Sequence, residues 1–428
     1  TIYGSLFLKY RLSAEKIMKI LLFEWASVTN EEIKSIFKKL NYDIYELKIP
    51  FNSFDGDWQF FEKFEPYVTK EKFDFCFSVN YFDMIAEACY RHRLKYIAWT
   101  YDSPCNMGDP KILGYDTNYI FIFDKLEARR YQKMGFNNVW HLPLAVNIDR
   151  FDNTKIENKK NLKYIQSEIS FVGRLYENDT AKITAHLTDY NKAFLNAIVD
   201  AQLQISGFNM IPWIVNQKMM EVIGTPEFNR MMNTPKELPW AVKDEDNKKN
   251  KKEISTDTAG AGALIMKLCE TVTNRERLLV LGLLASHYPL KLFSTENNDA
   301  LKNAILCGPV DYNSNMPKVF RYSKINMNIS LRSIESAIPL RCLDIMGCGG
   351  LLMSNYQPEL AEYFDEGKEM LIYRNPEDAL EKADYYLNPK HETERKKIAE
   401  NGYLKTKRDF NYKKQLSFIW EKAGLGEL

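Results

Sequence analysis

The sequence predicts an α/β chain of two Rossmann-like domains, the second carrying a helical insertion. Three observations carry this. Short apolar runs alternate with amphipathic helical stretches from residue 19 onward, the mark of parallel strands covered by helices. The cycle restarts at residue 168, after a polar bridge rich in Asn and Lys over 151–166. The chain's 428 residues also exceed what one hydrophobic core usually organises, since domains run to roughly 100–200 residues.

Lys19 to Glu24, KILLFE, is a short apolar run that suits a buried parallel strand. Ile33, Ile36, Phe37 and Leu40 follow at i, i+3, i+4 and i+7, one helical stripe behind a start at Asn30. Tyr45, Leu47 and Ile49 alternate inward in YDIYELKI and complete a β-α-β unit. The pattern continues through FDFCFSV (73–79), a helix around Met84 to Arg91, KYIAWT (95–100) and NYIFIF (118–123). A helix around Leu126 to Met134, stopped by Gly135, then leads into VWHLPLAV (139–146). The first domain is expected over 19–160.

EISFVG (168–173) opens the second cycle, and a helical insertion over about 178–287 precedes PLKLFS (289–294). The cycle resumes with INMNIS (325–330), a helix from about Pro339 to Cys348, LLMS (351–354), a helix around Glu359 to Phe364 and MLIY (370–373). The next helix begins NPED, where Asn375 caps and Pro376 is preorganised for the first helical position. The second domain is expected over 161–410. YKKQLSFIW (412–420) is an amphipathic helix with no following strand, placed at 411–428 as a return to the first domain. KDEDNKKNKKE (243–253) reads as a solvated charge run.

Composition narrows the function classes. With 58 basic and 57 acidic side chains, net charge +1, the chain has no excess charge to hold a nucleic acid. Seven widely spaced cysteines, mostly in apolar runs, read as reduced core thiols, hence a reducing compartment. No run approaches the roughly 20 apolar residues of a spanning helix, so no stable membrane insertion is expected. The opening TIYGSLFLKYRLSAEK lacks a small-residue cleavage site after an apolar core, which points to a cytoplasmic protein. No histidine pair has ligand spacing, and the Asp-x-Asp at Asp244-Glu245-Asp246 falls in the charge run, so no metal is expected.

Open parallel sheets bind ligands beyond the carboxyl ends of their strands. Gly173-Arg174 ends the strand ISFV, where a glycine allows close approach and a guanidinium can fork onto a diphosphate. Arg341 and Asp344 lie on a helix that ends in Gly347, Gly349 and Gly350, followed by a strand, Asn355 and Glu359. An acidic group there can accept from ribose or sugar hydroxyls, although Cys-Gly-Gly after a helix is also a plain helix stop. In the first domain Asp83 (VNYFD) and Asp102 (TYDSP) stand at strand ends as candidate general bases, or as loop-fixing and capping groups. His141 reads as a hydrogen-bonded core histidine. No G-x-G-x-x-G follows the first strand, whose loop is EWASVTN, which leaves a dinucleotide oxidoreductase the weakest reading.

The phrases KYIAWTYDSP, NYIFIFDK, NNVWHLPLAV and ISFVGRLY, with IPLRCLDIMGCGGLLMSNYQPELAEYFDEGKEMLIYRNPEDAL, resemble bacterial GT-B glycosyltransferases related to spore-maturation (spore-coat) proteins. They cover most of 70–180 and 318–410 in order and spacing. The resemblance implies the GT-B fold, with two domains facing each other across a cleft. It implies a nucleotide-sugar donor, UDP-linked ahead of GDP-linked, held by the second domain, and a glycan, protein or lipid acceptor on the first. By position it implies that Gly173 and Arg174 approach the diphosphate and that Arg341 is a second phosphate contact. Asp344 stands where related enzymes carry a ribose-binding glutamate, and Glu359 lies on the sugar side. The chain departs from the retaining pattern of two glutamates separated by seven residues, because Ser336 stands eight positions before Asp344, with Glu335 beside it. A lysine common after the Gly-Arg turn is not evident in LYEND. The expected function is glycosyl transfer; the alternatives are a nucleotide-sugar epimerase and a non-catalytic GT-B scaffold, which the irregular acidic motif favours.

Overall fold

The computed structural model describes residues 17–24, 28–49, 58–105, 107–154, 159–178, 180–225, 228–229 and 260–426. The charge run 243–253, with Asp244 and Asp246, lies outside them. The chain divides into two compact units. The smaller draws on the described residues of Thr1–Trp99 and on Met107–Tyr119, the larger on those of Thr100–Asn106, Ile120–Glu237 and Lys252–Leu428.

The first sheet has six strands: β1 (Lys19–Phe23), β2 (Asp43–Leu47), β3 (Phe75–Val79), β4 (Tyr96–Trp99), β5 (Asn118–Ile122) and β6 (Val139–His141), in the order β2-β1-β3-β4-β5-β6. Between them run α1 (Val28–Lys39), α2 (Trp58–Lys70), α3 (Asp83–Arg91), α4 (Pro110–Leu113) and α5 (Lys125–Lys133). All of β3 and β4, and all of β1 except Lys19, is buried, as strands covered on both faces must be. Phe37 of α1 meets Phe77 of β3 edge-on at 5.4 Å. Asp124 caps α5 through the Leu126 N–H, and Gly135 (φ +100°) follows its end, as expected. Of the run VWHLPLAV, only Val139–His141 pairs as a strand, since Pro143 has no N–H to donate to a ladder.

After α6 (Ile148–Asp152) and α7 (Lys159–Ile165), the second sheet comprises β7 (Ile169–Val172), β8 (Leu290–Phe293), β9 (Ile305–Leu306), β10 (Ile325–Asn328), β11 (Leu352–Asn355) and β12 (Leu371–Tyr373). Its order is β12-β11-β10-β7-β8-β9, every ladder parallel. Read in chain order this is the 3-2-1-4-5-6 arrangement of a Rossmann fold, reversing between β7 and β10. The expected α/β class, with two Rossmann-like parallel sheets, is what the chain forms.

The insertion is helical as expected: α8 (Thr180–Thr184), α9 (Asp189–Leu203), α10 (Ile211–Ile214), α11 (Gln217–Ile223) and the 27-residue α12 (Ala261–His287). The first half of α12 buries Leu264, Leu268 and Val272 against Leu195, Ile198 and Ile211. Its second half buries Val280, Leu281 and Leu284 under the sheet with Ile169, Leu292 and Met327. One helix thus belongs to two cores. Then come α13 (Met316–Tyr322), α14 (Leu340–Gly347), α15 (Pro358–Tyr363), α16 (Pro376–Leu387), α17 (Glu392–Asp409) and α18 (Tyr412–Ala423). Asn375 caps α16 at the Asp378 N–H with Pro376 behind it. Phe418 of α18 packs edge-on to Phe121 of β5 at 6.1 Å. The seven cysteines are free thiols, five of them buried.

Candidate functional site

Helices leave the second sheet in opposite directions from β7 and β10, so their carboxyl ends flank the place where a ligand of this fold sits. Gly173 and Arg174 follow β7 directly. The Arg174 side chain is 63% exposed, and its Nε donates to Glu296 Oε1 at 3.1 Å. Glu296, in the loop after β8, also accepts from the Leu175 N–H. An exposed guanidinium held by one edge at a strand end is suited to take phosphate oxygens on another.

Behind the loop after β10 lies a buried polar network. Glu276 of α12 accepts from Arg332 Nη2 at 2.6 Å and from Asn355 Nδ2 at 3.2 Å, while Tyr373 OH stands 3.3 Å away. Arg332 Nη1 donates to the Ile205 carbonyl of the insertion at 3.0 Å. Burial, then the Glu276 carboxylate, push the Tyr373 hydroxyl well above its ordinary range. Asn355 Oδ1 accepts from the Ser330 N–H at 3.0 Å, so this candidate binding residue is engaged at both ends.

Arg341 and Asp344 are brought together on α14. Arg341 Nη1 lies 3.2 Å from Asp344 Oδ2, and Tyr312 OH donates to Asp344 Oδ1 at 2.9 Å. Asp344 is buried, and Arg341 also lies over the Phe320 ring at 5.5 Å. Gly349 and Gly350 close the helix, their N–H groups donating to the Met346 and Ile345 carbonyls at 2.9 and 3.0 Å. Gly349 has φ +75°, and a Cβ on Gly350 would stand 2.6 Å from the Phe320 carbonyl oxygen and 2.7 Å from Asn326 Nδ2. The turn and its packing therefore demand glycine at both positions.

Glu359, 1% exposed, sits in a cluster that residue patterns had not signalled. Its Oε1 accepts from the Lys125 N–H at 2.8 Å and from Ser336 Oγ at 2.7 Å, and its Oε2 lies 2.8 Å from His141 Nε2. Ser336 Oγ is also 2.8 Å from Asp124 Oδ1, while Asp124 Oδ2 accepts from the Glu335 and Ser336 N–H groups at 2.8 and 3.0 Å. The serine that stands in place of the first glutamate thus fits a hydroxyl between two buried carboxylates. His141 is hydrogen-bonded, as its strand suggests, but its side chain is partly exposed rather than in the core. Asp124 followed by Glu127 was a legible capping-box pattern, but Glu127 turns inward instead and accepts from the Cys105 N–H at 2.8 Å. Burial, then Asp124, push the Glu127 carboxyl up to about 8.

The two candidate bases fall in different units. Asp102 lies exposed in the bend after β4, its carbonyl 3.6 Å from Cys105 Sγ. Asp83 opens α3 in the smaller unit, where its Oδ2 accepts from the Asp109 N–H at 2.8 Å and would collide with a Cβ on Gly108. Its carboxylate fixes that loop. Among the described residues, no group of three or more His, Cys, Asp or Glu is arranged to hold a metal ion, and no helix is long and apolar enough to cross a membrane.

Residues 267–421, which carry β8 to β12 and α14, match a family model described as glycosyl transferase-like. The chain therefore carries a glycosyl transferase-like domain. In fold it is similar to a glycosyltransferase from Rickettsia africae, with a TM-score of 0.53 at 12% identity over 95% of this chain and 99% of that one. It also matches the UDP-forming trehalose-phosphate synthase of Burkholderia xenovorans (0.48, 9% identity, 95% and 99%) and Anabaena HepE crystallised with UDP and glucose (0.47, 10% identity, 95% and 99%). At these identities the likeness is one of fold, the GT-B architecture of two Rossmann-like domains. No curated protein matches the chain.

Proposed function

We propose that the chain transfers a glycosyl group from a nucleoside-diphosphate sugar, UDP-linked ahead of GDP-linked, to a glycan, protein or lipid acceptor. The spore-maturation-related GT-B enzymes it resembles set the precedent. The observation that carries the reading is Arg174, an exposed guanidinium at the carboxyl end of β7, beside the strand-order reversal of the sheet whose later strands carry the glycosyl transferase-like match. In this reading 161–410 holds the donor and 19–160 the acceptor. The bond from the anomeric carbon to the diphosphate oxygen breaks, and its electron pair leaves with the nucleoside diphosphate. Arg174 and Arg341 meet that charge electrostatically, so the step requires no metal. The acceptor hydroxyl attacks the anomeric carbon and passes its proton to a carboxylate, for which Asp102 and Asp83 are the candidates. The free thiols accord with a reducing, cytoplasmic setting.

A second reading, a donor-binding subunit without turnover, is favoured by the internal satisfaction of Glu359, Asn355 and Asp344. One experiment separates the two. UDP-, GDP- and dTDP-sugars are screened for stabilisation of the protein against heat and for release of nucleoside diphosphate. The transferase reading expects stabilisation by one donor and slow release, both weakened by Arg174→Ala on the order of 10–100-fold. Stabilisation without release, whatever acceptor is added, means the binding subunit; no stabilisation by any donor removes both.

A further inference from the structure

Four non-glycine residues among those described have a left-handed backbone, and Tyr176 (φ +61°) is the aromatic one. Asparagine tolerates this region through its short polar side chain, whereas a residue as bulky as tyrosine is an outlier there, so something must hold Tyr176 in place. Its ring lies 4.6 Å from the Arg277 guanidinium and 5.4 Å from that of Arg174. One aromatic face system thus serves both the buried arginine of α12 and the exposed arginine after β7.

Arg277 also explains why the loop is fixed at this point. Its Nε donates to the Ile329 carbonyl at 3.2 Å, Nη2 reaches the same oxygen, and Nη1 donates to the Arg174 carbonyl. These two carbonyls lie just past the carboxyl ends of β10 and β7, the strands that flank the order reversal. Phe171 supplies a second ring at 5.1 Å, so the guanidinium is held by stacking as well as by hydrogen bonds. From this support Arg174 projects with Nε on Glu296 and its guanidinium against Tyr176.

We propose that Tyr176 and Arg277 are positioning residues for the donor diphosphate: Arg277 fixes the two strand ends, and Tyr176 orients the Arg174 guanidinium before the ligand arrives. The role rests on the transferase reading of the same site. A long side chain already held in its binding conformation loses less freedom on binding, which raises affinity without a new contact. Backbone strain at Tyr176 is what such an arrangement costs.

The test uses the full chain and calorimetric titration with UDP and GDP. Tyr176→Gly removes the ring and relaxes the left-handed backbone, so a merely structural loop residue would leave affinity unchanged and the melting temperature the same or higher. The positioning role expects Tyr176→Gly to fold normally and to weaken binding on the order of tenfold, with Arg277→Lys in the same direction. It further expects Tyr176→Gly to add little in an Arg174→Ala background, because both changes act through one guanidinium. Wild-type affinity in Tyr176→Gly, or an equal loss with and without Arg174, overturns the proposal while the transferase reading stands. Failure of the wild type to bind either nucleotide overturns the transferase reading itself, and this role with it.

Discussion

Glu127 shows how far a single residue can depart from what its sequence neighbours suggest. Its carboxyl is buried, accepts the Cys105 N–H, and is pushed up to about 8 by burial first and the Asp124 carboxylate second. Between its unfolded value, about 4.3, and that raised value the folded chain holds a proton that the unfolded chain has released. The stability this group contributes is therefore complete below the unfolded pKa and is lost as pH rises through 8. Glu127→Gln, which keeps the acceptor and removes the titration, should stabilise the protein by ~2 kcal/mol or more at pH 9 relative to its effect at pH 5. Thermal melts at the two pH values check this; equal effects would mean that the carboxyl titrates as in the unfolded chain. The same crowding of carboxylates gives Ser336 its physical reason. A glutamate there would bring a third acidic group into contact with Asp124 and Glu359, both buried.

The turn from α14 into β11 decides what its glycines are for. Gly350 has a backbone oxygen and an amide nitrogen where a Cβ would sit, at 2.6 and 2.7 Å. Gly350→Ala should lower stability by about 1–3 kcal/mol, read as a shift in urea midpoint at unchanged slope. Unchanged stability would show that Phe320 and Asn326 shift freely and would return the glycine to a ligand-approach role. Gly349 has open space but a left-handed φ, so its requirement is conformational rather than steric. In the sequence both appeared as one Gly-Gly pair, and composition could not separate the two causes.

Across the larger unit, α12 joins two hydrophobic clusters that otherwise share no residues. Leu268→Ala and Leu284→Ala remove the same side chain from the same helix, each at a cost of about 2–5 kcal/mol. Native-state hydrogen exchange should separate them: Leu268→Ala exposes amides of α9 and α11 while the sheet stays protected, and Leu284→Ala lowers protection of β7, β8 and β10. Loss of protection everywhere in both variants would make insertion and sheet one cooperative body.

The alternation of strands and helices, the caps at Asn375 and Pro376, the stop at Gly135 and the placing of Gly173-Arg174 at a strand end were all legible in the sequence alone. Periodicity and turn chemistry act over a few neighbouring residues, and a single chain displays them. The two-residue β9 was not legible, because both its side chains are about half exposed and carry no alternation. Nor was the bonding of the acidic and amide candidates. Glu359 is paired with His141 218 residues away, Asn355 with Glu276 79 away and Asp344 with Tyr312 32 away. Which partner a buried polar group finds depends on which strands and helices become neighbours, and strand order is a property of the folded sheet rather than of any local run of residues.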